Sequence, residues 1–148
     1  MHQVHVTAHY NHPLTAVFAH ISDHRKFLTG GGLTCRMMKA GDPDKNGLGA
    51  VRMVRAPKIT FIEEINGFEL NKSYDYQITE TRPKMPLKHH NGWLEFTEVG
   101  EQVKVDWHSH FTITTPVIGH LMGWWFKRRL EKVFKKRLDH VKWVLAQA

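Results

Sequence analysis

An α+β domain is the fold class the sequence predicts: seven antiparallel strands, two short helices after the first strand, and one long C-terminal helix. Three observations lead there. Apolar and polar residues alternate with a period of two in "VHVTAHY" and again across "HHNGWLEFTEVGEQVKVDWHSHFTIT". Between these, "KITFIEEINGFELNKSYDYQI" carries Asn66-Gly67, a strong short-range hairpin signal because a type I′ turn needs positive φ at both central residues. The chain then closes on "WWFKRRLEKVFKKRLDHVKW", whose apolar residues recur with the helical period. A single sheet with one buried face needs a partner, and this terminal helix is the one large candidate.

Taken in order, Val4, Val6, Ala8 and Tyr10 line one side of the first strand. "NHPLTAVFAHISDHRKFLTGG" reads as two short helices, with Pro13 in the first turn, Ser22 or Asp23 capping the second helix, and Gly30, Gly31 and Gly32 stopping it. "LTCRMMKA" and "GAVRMVRA" are strands around the turn-rich "GDPDKNGLG". A turn at Asn66-Gly67 puts Ile59, Phe61, Glu63, Ile65, Phe68, Leu70, Lys72, Tyr74 and Tyr76 on the buried face, and sets Lys58 opposite Asp75. A two-residue turn at Val99-Gly100 pairs Phe96 with Val103, Leu94 with Val105, Gly92 with Trp107 and His90 with Ser109. On the outer side it pairs Glu95 with Lys104 and His89 with His110. In the last helix Leu130, Val133, Phe134, Leu138, Val141, Val144 and Leu145 form the core face, and Arg137 interrupts it.

At 148 residues the chain is expected to be one ligand-binding domain, residues 1–148. A hydrophobic content of 41% and a charged content of 24% are those of an ordinary globular protein. Cys35 stands alone, which excludes an internal disulfide framework and suits a reducing cytoplasm. "MHQVHVTAHY" lacks the apolar core of a signal peptide, and no stretch reaches the ~20 apolar residues of a membrane span. Of the net charge of +7, residues 127–142 hold +6, eight Lys/Arg against Glu131 and Asp139, so the remainder carries only +1. The basicity therefore belongs to one helix face.

The order of the strings "PLTAVFAHISD", "NGLGAVRMV", "ITFIEEINGFELNKSYDY" and "HHNGWLEFTEVGEQVKVDWHSHFTI" before the final helix resembles the SRPBCC helix-grip superfamily, which includes START domains, major pollen allergens and polyketide cyclase/dehydrase-like proteins. The resemblance spans nearly the whole chain and rests on the order of its motifs. It implies a helix-grip fold, in which the curved sheet wraps the C-terminal helix and leaves a cavity for a hydrophobic ligand. Fold alone does not choose between carrier and enzyme.

With that architecture, the expected lining is Val51, Phe61, Tyr74, Tyr76, Leu94, Trp107, Phe111, Val133 and Leu138, with Glu63, Lys72, His90, Ser109 and Arg137 as inward polar groups. The first reading is a carrier or sensor of a small hydrophobic or lipid-like molecule, oriented by His90, Ser109 and Arg137. A second is a cyclase or dehydratase on a polyketide-like substrate, with His90 or a cavity tyrosine as acid/base and Arg137 on an enolate. A third uses the exposed cations of the last helix against anionic membrane or ribosomal RNA. Trp124, Trp125 and Phe126 ahead of those cations favour a transient membrane contact, and the missing recognition motif disfavours nucleic acid. Arg137 pairs with Glu63 or snorkels if it does not meet ligand. His89, His108 and His110 would converge on the outer, solvated face, where a functional metal is not expected. No nucleotide or dinucleotide motif is present and no cofactor is expected.

Overall fold

The first strand pairs with the last, and that closure organises the molecule. The computed structural model describes residues 1–147. Its elements are β1 (His2–Tyr10), α1 (Leu14–Ser22), α2 (His24–Phe27), β2 (Thr34–Lys39), β3 (Val51–Arg55), β4 (Thr60–Glu69), β5 (Ser73–Arg82), β6 (Leu87–Val99), β7 (Gln102–Ile113) and α3 (Gly119–Ala146). All seven strands form one curved antiparallel sheet in the order β1-β7-β6-β5-β4-β3-β2, with α3 across its concave face: a helix-grip fold. No described helix is long and apolar enough to cross a membrane.

The helices begin and stop for local reasons. Pro13, at φ −59°, sits just ahead of α1 as its N-cap, one position before the expected first turn. Asp23, and not Ser22, caps α2: its carboxylate accepts from the Lys26 amide at 3.3 Å. Gly30, Gly31 and Gly32 all take positive φ and turn the chain into β2.

The core lies between the sheet and the C-terminal half of α3. Trp107 of β7 stacks on Phe134 with ring centroids 3.7 Å apart, and Phe134, Leu138 and Val141 are buried against Val4, Ala8 and Tyr10 of β1 and their neighbours. The Tyr10 hydroxyl donates to the Leu138 carbonyl at 2.7 Å. The N-terminal half of α3 is far more exposed.

Both predicted hairpin turns are displaced. Asn66-Gly67 is not a turn: β4 continues to Glu69, the chain reverses through Leu70 and Asn71 (φ 60°), and Lys72 N–H bonds back to Glu69 O at 3.0 Å. Asn66 is instead the extra residue of a bulge between Ile65 and Gly67. Running on lets Phe68 pair with Tyr74 and meet Phe18 edge-on. A bulge reverses the alternation just as a turn there would have, so Phe61, Glu63, Ile65, Tyr74 and Tyr76 still face inward. Leu70 and Lys72, expected inside, are exposed in the true turn, and Lys58 precedes β4 and does not pair with Asp75.

The β6–β7 register is two residues away from expectation: Phe96 pairs with Val105, Leu94 with Trp107 and Gly92 with Ser109. A turn on Val99-Gly100 would force positive φ on a β-branched residue, so the chain turns one residue later, with Gly100 at φ 61°. A shift of two preserves the faces as far as Gly92. Beyond it a bulge makes His90 the extra residue and exchanges the two histidines: His89 points in and is buried, while His90 is exposed and bonded to Thr112 Oγ1.

Gly92 lies directly across from Tyr76, and a Cβ added there would overlap the phenol ring. Gly92→Ala is therefore expected to cost about 1–3 kcal/mol through displacement of that ring, measured as a lower midpoint in urea unfolding.

Candidate functional site

On the concave face, one strand in from the β2 edge, stands an arginine that sequence reasoning did not select. Arg52 on β3 pairs directly across from Glu63 on β4, and its Nε donates to Glu63 Oε1 at 2.7 Å. Both are buried, with Arg52 1% exposed. The guanidinium also donates through Nη1 to His24 Nδ1 at 2.9 Å and lies over the Tyr76 ring at 4.7 Å. Burial alone would lower the Arg52 pKa, but the Glu63 carboxylate raises it, so the guanidinium stays charged.

His24 is held neutral by the same arrangement. Its Nδ1 accepts from Arg52, so Nε2 carries the proton, donated to the Asn46 carbonyl at 2.8 Å. Burial and the adjacent guanidinium push its pKa down to about 3. His89 follows the same logic: Nδ1 accepts from the Ile78 amide at 3.0 Å, leaving Nε2–H for Ser109 Oγ at 3.0 Å. Burial pushes its pKa down to about 4. The Tyr76 hydroxyl accepts from Trp107 Nε1 at 2.9 Å, and burial raises its pKa.

Arg52, Glu63, Tyr76, Trp107 and Ser109 line one side of a cavity of about 160 Å³ between the sheet and α3, with His24 and His89 hydrogen-bonded behind them. Arg52, Glu63, Tyr76 and Ser109 are its polar members on the sheet side, and Arg129 is the one on α3. Leu28, Leu33, Val54, Ala56, Ile59, Phe61, Ile78 and Trp107 complete the sheet side, and Phe126, Arg129, Leu130, Val133 and Phe134 of α3 form the opposite wall. The structure thus brings Phe61, Glu63, Tyr76, Trp107, Ser109 and Val133 of the expected set together.

The other expected residues lie elsewhere, each for a physical reason. Tyr74, Leu94, Phe111 and Leu138 are packed solid in the core, at most 1% exposed. The Tyr74 hydroxyl is taken by the Ile21 carbonyl, and burial pushes its pKa up to about 12. Val51 is only half-buried, because β3 turns Arg52 and Val54 toward the cavity, the reverse of the assumed alternation. His90 is outside, because of the β6 bulge. Arg137 is buried but does not reach the cavity or Glu63. Its Nη1 donates to Thr29 O at 2.8 Å, and its guanidinium packs on Gly30, where a side chain would crowd it. It ties α3 to the loop after α2, and burial lowers its pKa.

A larger depression, about 970 Å³, lies between α2 and β2 and is lined by Asp23, Arg25, Lys26, Cys35, Lys45 and their neighbours. It sits at the open β2 edge of the sheet and lacks the buried polar and aromatic lining of the central cavity. Burial pushes the Cys35 thiol up to about 11, against the pull of Arg52, so it is not a thiolate nucleophile.

On the convex face the expected trio of His89, His108 and His110 does not assemble, because His89 points inward. His5, Asp106 and His108 cluster there instead. Burial alone would raise the Asp106 carboxyl, but donation from Thr7 Oγ1 and His5 Nε2, with Lys104 nearby, holds it low. The His5 and His108 rings stack in parallel at 4.0 Å, with Trp93 on the far side of His108. Imidazole lone pairs lie in the ring plane, so parallel rings do not converge on one ion.

Comparison with known proteins agrees with this architecture. The family described as "Polyketide cyclase / dehydrase and lipid transport" matches residues 1–146. Among solved structures, TTHA0849 from Thermus thermophilus superposes with a TM-score of 0.78 at 15% identity, over 99% of both chains. A START superfamily protein from Mycobacterium smegmatis gives 0.71 at 11% identity, over 97% of this chain and 99% of that one. XoxI from Bacillus cereus gives 0.71 at 14%, over 97% and 95%. Identities this low speak for the fold alone. No curated protein sequence matches the chain.

Proposed function

Because the chain belongs to the polyketide cyclase/dehydrase and lipid-transport family, we propose that residues 1–148 act as one ligand-binding unit, a carrier or sensor that holds a compact hydrophobic molecule between the sheet and α3. The carrying observation is the cavity itself: largely apolar walls from β3, β4, β5, β7 and α3 around the small polar group of Arg52, Glu63, Tyr76 and Ser109, with Arg129 on the α3 side. Its volume of about 160 Å³ is below the ~300 Å³ at which drug-sized pockets begin. A single-ring or short-chain molecule fits as it stands, and a longer one requires the exposed half of α3 to move outward.

Carrying is favoured over catalysis by the polar lining. Arg52 is engaged by Glu63, burial keeps the Tyr76 hydroxyl protonated, and His89 and His24 are held neutral with their proton positions fixed by hydrogen bonds. None of them is an acid or base poised near pH 7, which proton-transfer chemistry requires. A reducing cytoplasm suits the lone Cys35. The cations of α3 beside the cavity support transient contact with an anionic membrane as a second partner.

The test is titration with small aromatics and medium-chain fatty acids, followed by native mass spectrometry, in parallel with Val133→Trp, which fills the cavity from α3. At least one compound class is expected to saturate the parent protein at one site and to bind the variant at least ~10-fold more weakly, a loss of about 1.4 kcal/mol or more. Equal binding to both proteins, or to neither, removes the proposal.

A further inference from the structure

The most unusual surface of the molecule is the start of α3. Val117 is fully exposed at φ 68°, a conformation β-branched residues resist, and Ile118, Leu121, Met122, Trp124 and Trp125 follow it, each between 38% and 70% exposed. Six large apolar side chains thus stand in water within nine consecutive residues, where a protein surface ordinarily scatters them singly.

The cations follow at once. Lys127, Arg128, Arg129 and Lys132 come next along the helix, and the sequence holds no Asp or Glu between Ile113 and Glu131. At 100° per residue Leu121, Trp124, Trp125, Arg128 and Lys132 share one outer face. Along the helix axis that face changes from apolar to aromatic to cationic. Arg128 lies over the Trp124 ring at 5.7 Å and Arg129 over Trp125 at 4.9 Å, so charge and ring meet at one level. Residues 119–125 of α3 rise about 10 Å at 1.5 Å per residue, with Val117 and Ile118 ahead of them, enough to carry an apolar tip some 5–10 Å into a bilayer with the cations at headgroup depth.

We propose that residues 117–132 form a membrane-docking surface that seats on an anionic bilayer, with Ile118, Leu121, Trp124 and Trp125 in the interfacial layer and Arg128 and Lys132 against lipid headgroups. This deepens the membrane partner named above by assigning its residues and lipid charge. Two other occupants fit less well. A second copy on a two-fold axis would bring two segments of +6 together, and a nucleic acid would neutralise the cations while leaving the apolar tip in water. The inward side of the same turns, Phe126 and Leu130, lines the cavity, so a docked helix presents the cavity wall to lipid.

The experiment uses the full chain with vesicles of phosphatidylcholine, with and without phosphatidylserine, read by co-sedimentation and tryptophan emission. Binding is expected only with phosphatidylserine, with a blue shift, and is expected to weaken as salt rises. The exposed double variant Trp124→Ala/Trp125→Ala should bind at least ~10-fold more weakly with its circular dichroism unchanged. Arg128→Gln/Lys132→Gln should lose about fivefold for each cation removed. Val133→Trp, which blocks the cavity, should still bind vesicles, so failure of the docking surface and failure of the ligand reading are separable. Absence of binding to phosphatidylserine vesicles overturns the proposal. So does full retention by Trp124→Ala/Trp125→Ala, a concentration-dependent dimer that shields both tryptophans, or binding to RNA in place of vesicles.

Discussion

Replacing Glu63 by alanine is expected to lower the unfolding free energy by about 3–5 kcal/mol, which would place it among the most damaging single changes in the chain. The reason is what it leaves behind. Arg52 is 1% exposed, and its carboxylate partner 2.7 Å away makes the largest contribution to offsetting the burial of its charge. His24 accepts one guanidinium hydrogen bond but brings no negative charge, and the Tyr76 face offers only a weak quadrupole. The double variant Arg52→Met/Glu63→Leu should recover most of the loss, because replacing a buried ion pair with apolar side chains of similar volume is often neutral or stabilising. Urea unfolding of Arg52→Met, Glu63→Leu and their double variant gives the coupling energy directly. A Glu63→Ala protein within 1 kcal/mol of the parent, well below the ~3 kcal/mol floor for a broken buried pair, would mean that the charge is not confined as described.

Acid is expected to destabilise the protein early, below about pH 6, before most carboxylates titrate. His24 and His89 are buried neutral, with pKa values pushed down from 6.5 to about 3 and about 4. In the unfolded chain both take up protons near 6.5; in the folded protein they do not. The unfolded state therefore binds more protons across this window, and stability falls as pH falls. The stabilisation is intact above about pH 7 and is lost progressively from pH 6.5 toward the folded values. Each histidine contributes a slope of at most about 1.4 kcal/mol per pH unit, so two give roughly 2–3 kcal/mol per unit near pH 5. Urea midpoints across pH 4–8 should follow this slope, and His24→Gln should remove about half of it. A flat profile between pH 7 and 5 would show that one or both rings reach solvent.

How much of this was legible in the chain varies from element to element. β1, the two short helices, the glycine stop and the core face of α3 were readable because each is set by local periodicity or a local cap. The inner faces of β4 and β5 survived a misplaced turn, because a bulge and a turn reverse alternation alike. The same kind of defect exposed the limit in β6, where one extra residue exchanged His89 for His90; nothing local marks which residue of "HHN" bulges. Arg52 was passed over because a strand reading assigns an arginine to solvent by default. What identifies it as buried is a partner eleven residues away, and only the β3–β4 register supplies that. Arg137 stands out in the sequence as a charge on an apolar stripe, yet its partner is a backbone carbonyl, which carries no side-chain signature.

The pairing of β1 with β7, together with the bond from Tyr10 to Leu138, has a consequence for biosynthesis. The nine-residue strand β1 is synthesised well before its neighbours and finds them only when residues 102–146 have followed. Contacts this distant along the chain raise the contact order, and folding slows as contact order rises. While translation continues, the β1 edge stays unpaired and its apolar residues stay open to chaperones, so nascent-chain protease protection should rise abruptly only once the last helix has cleared the tunnel.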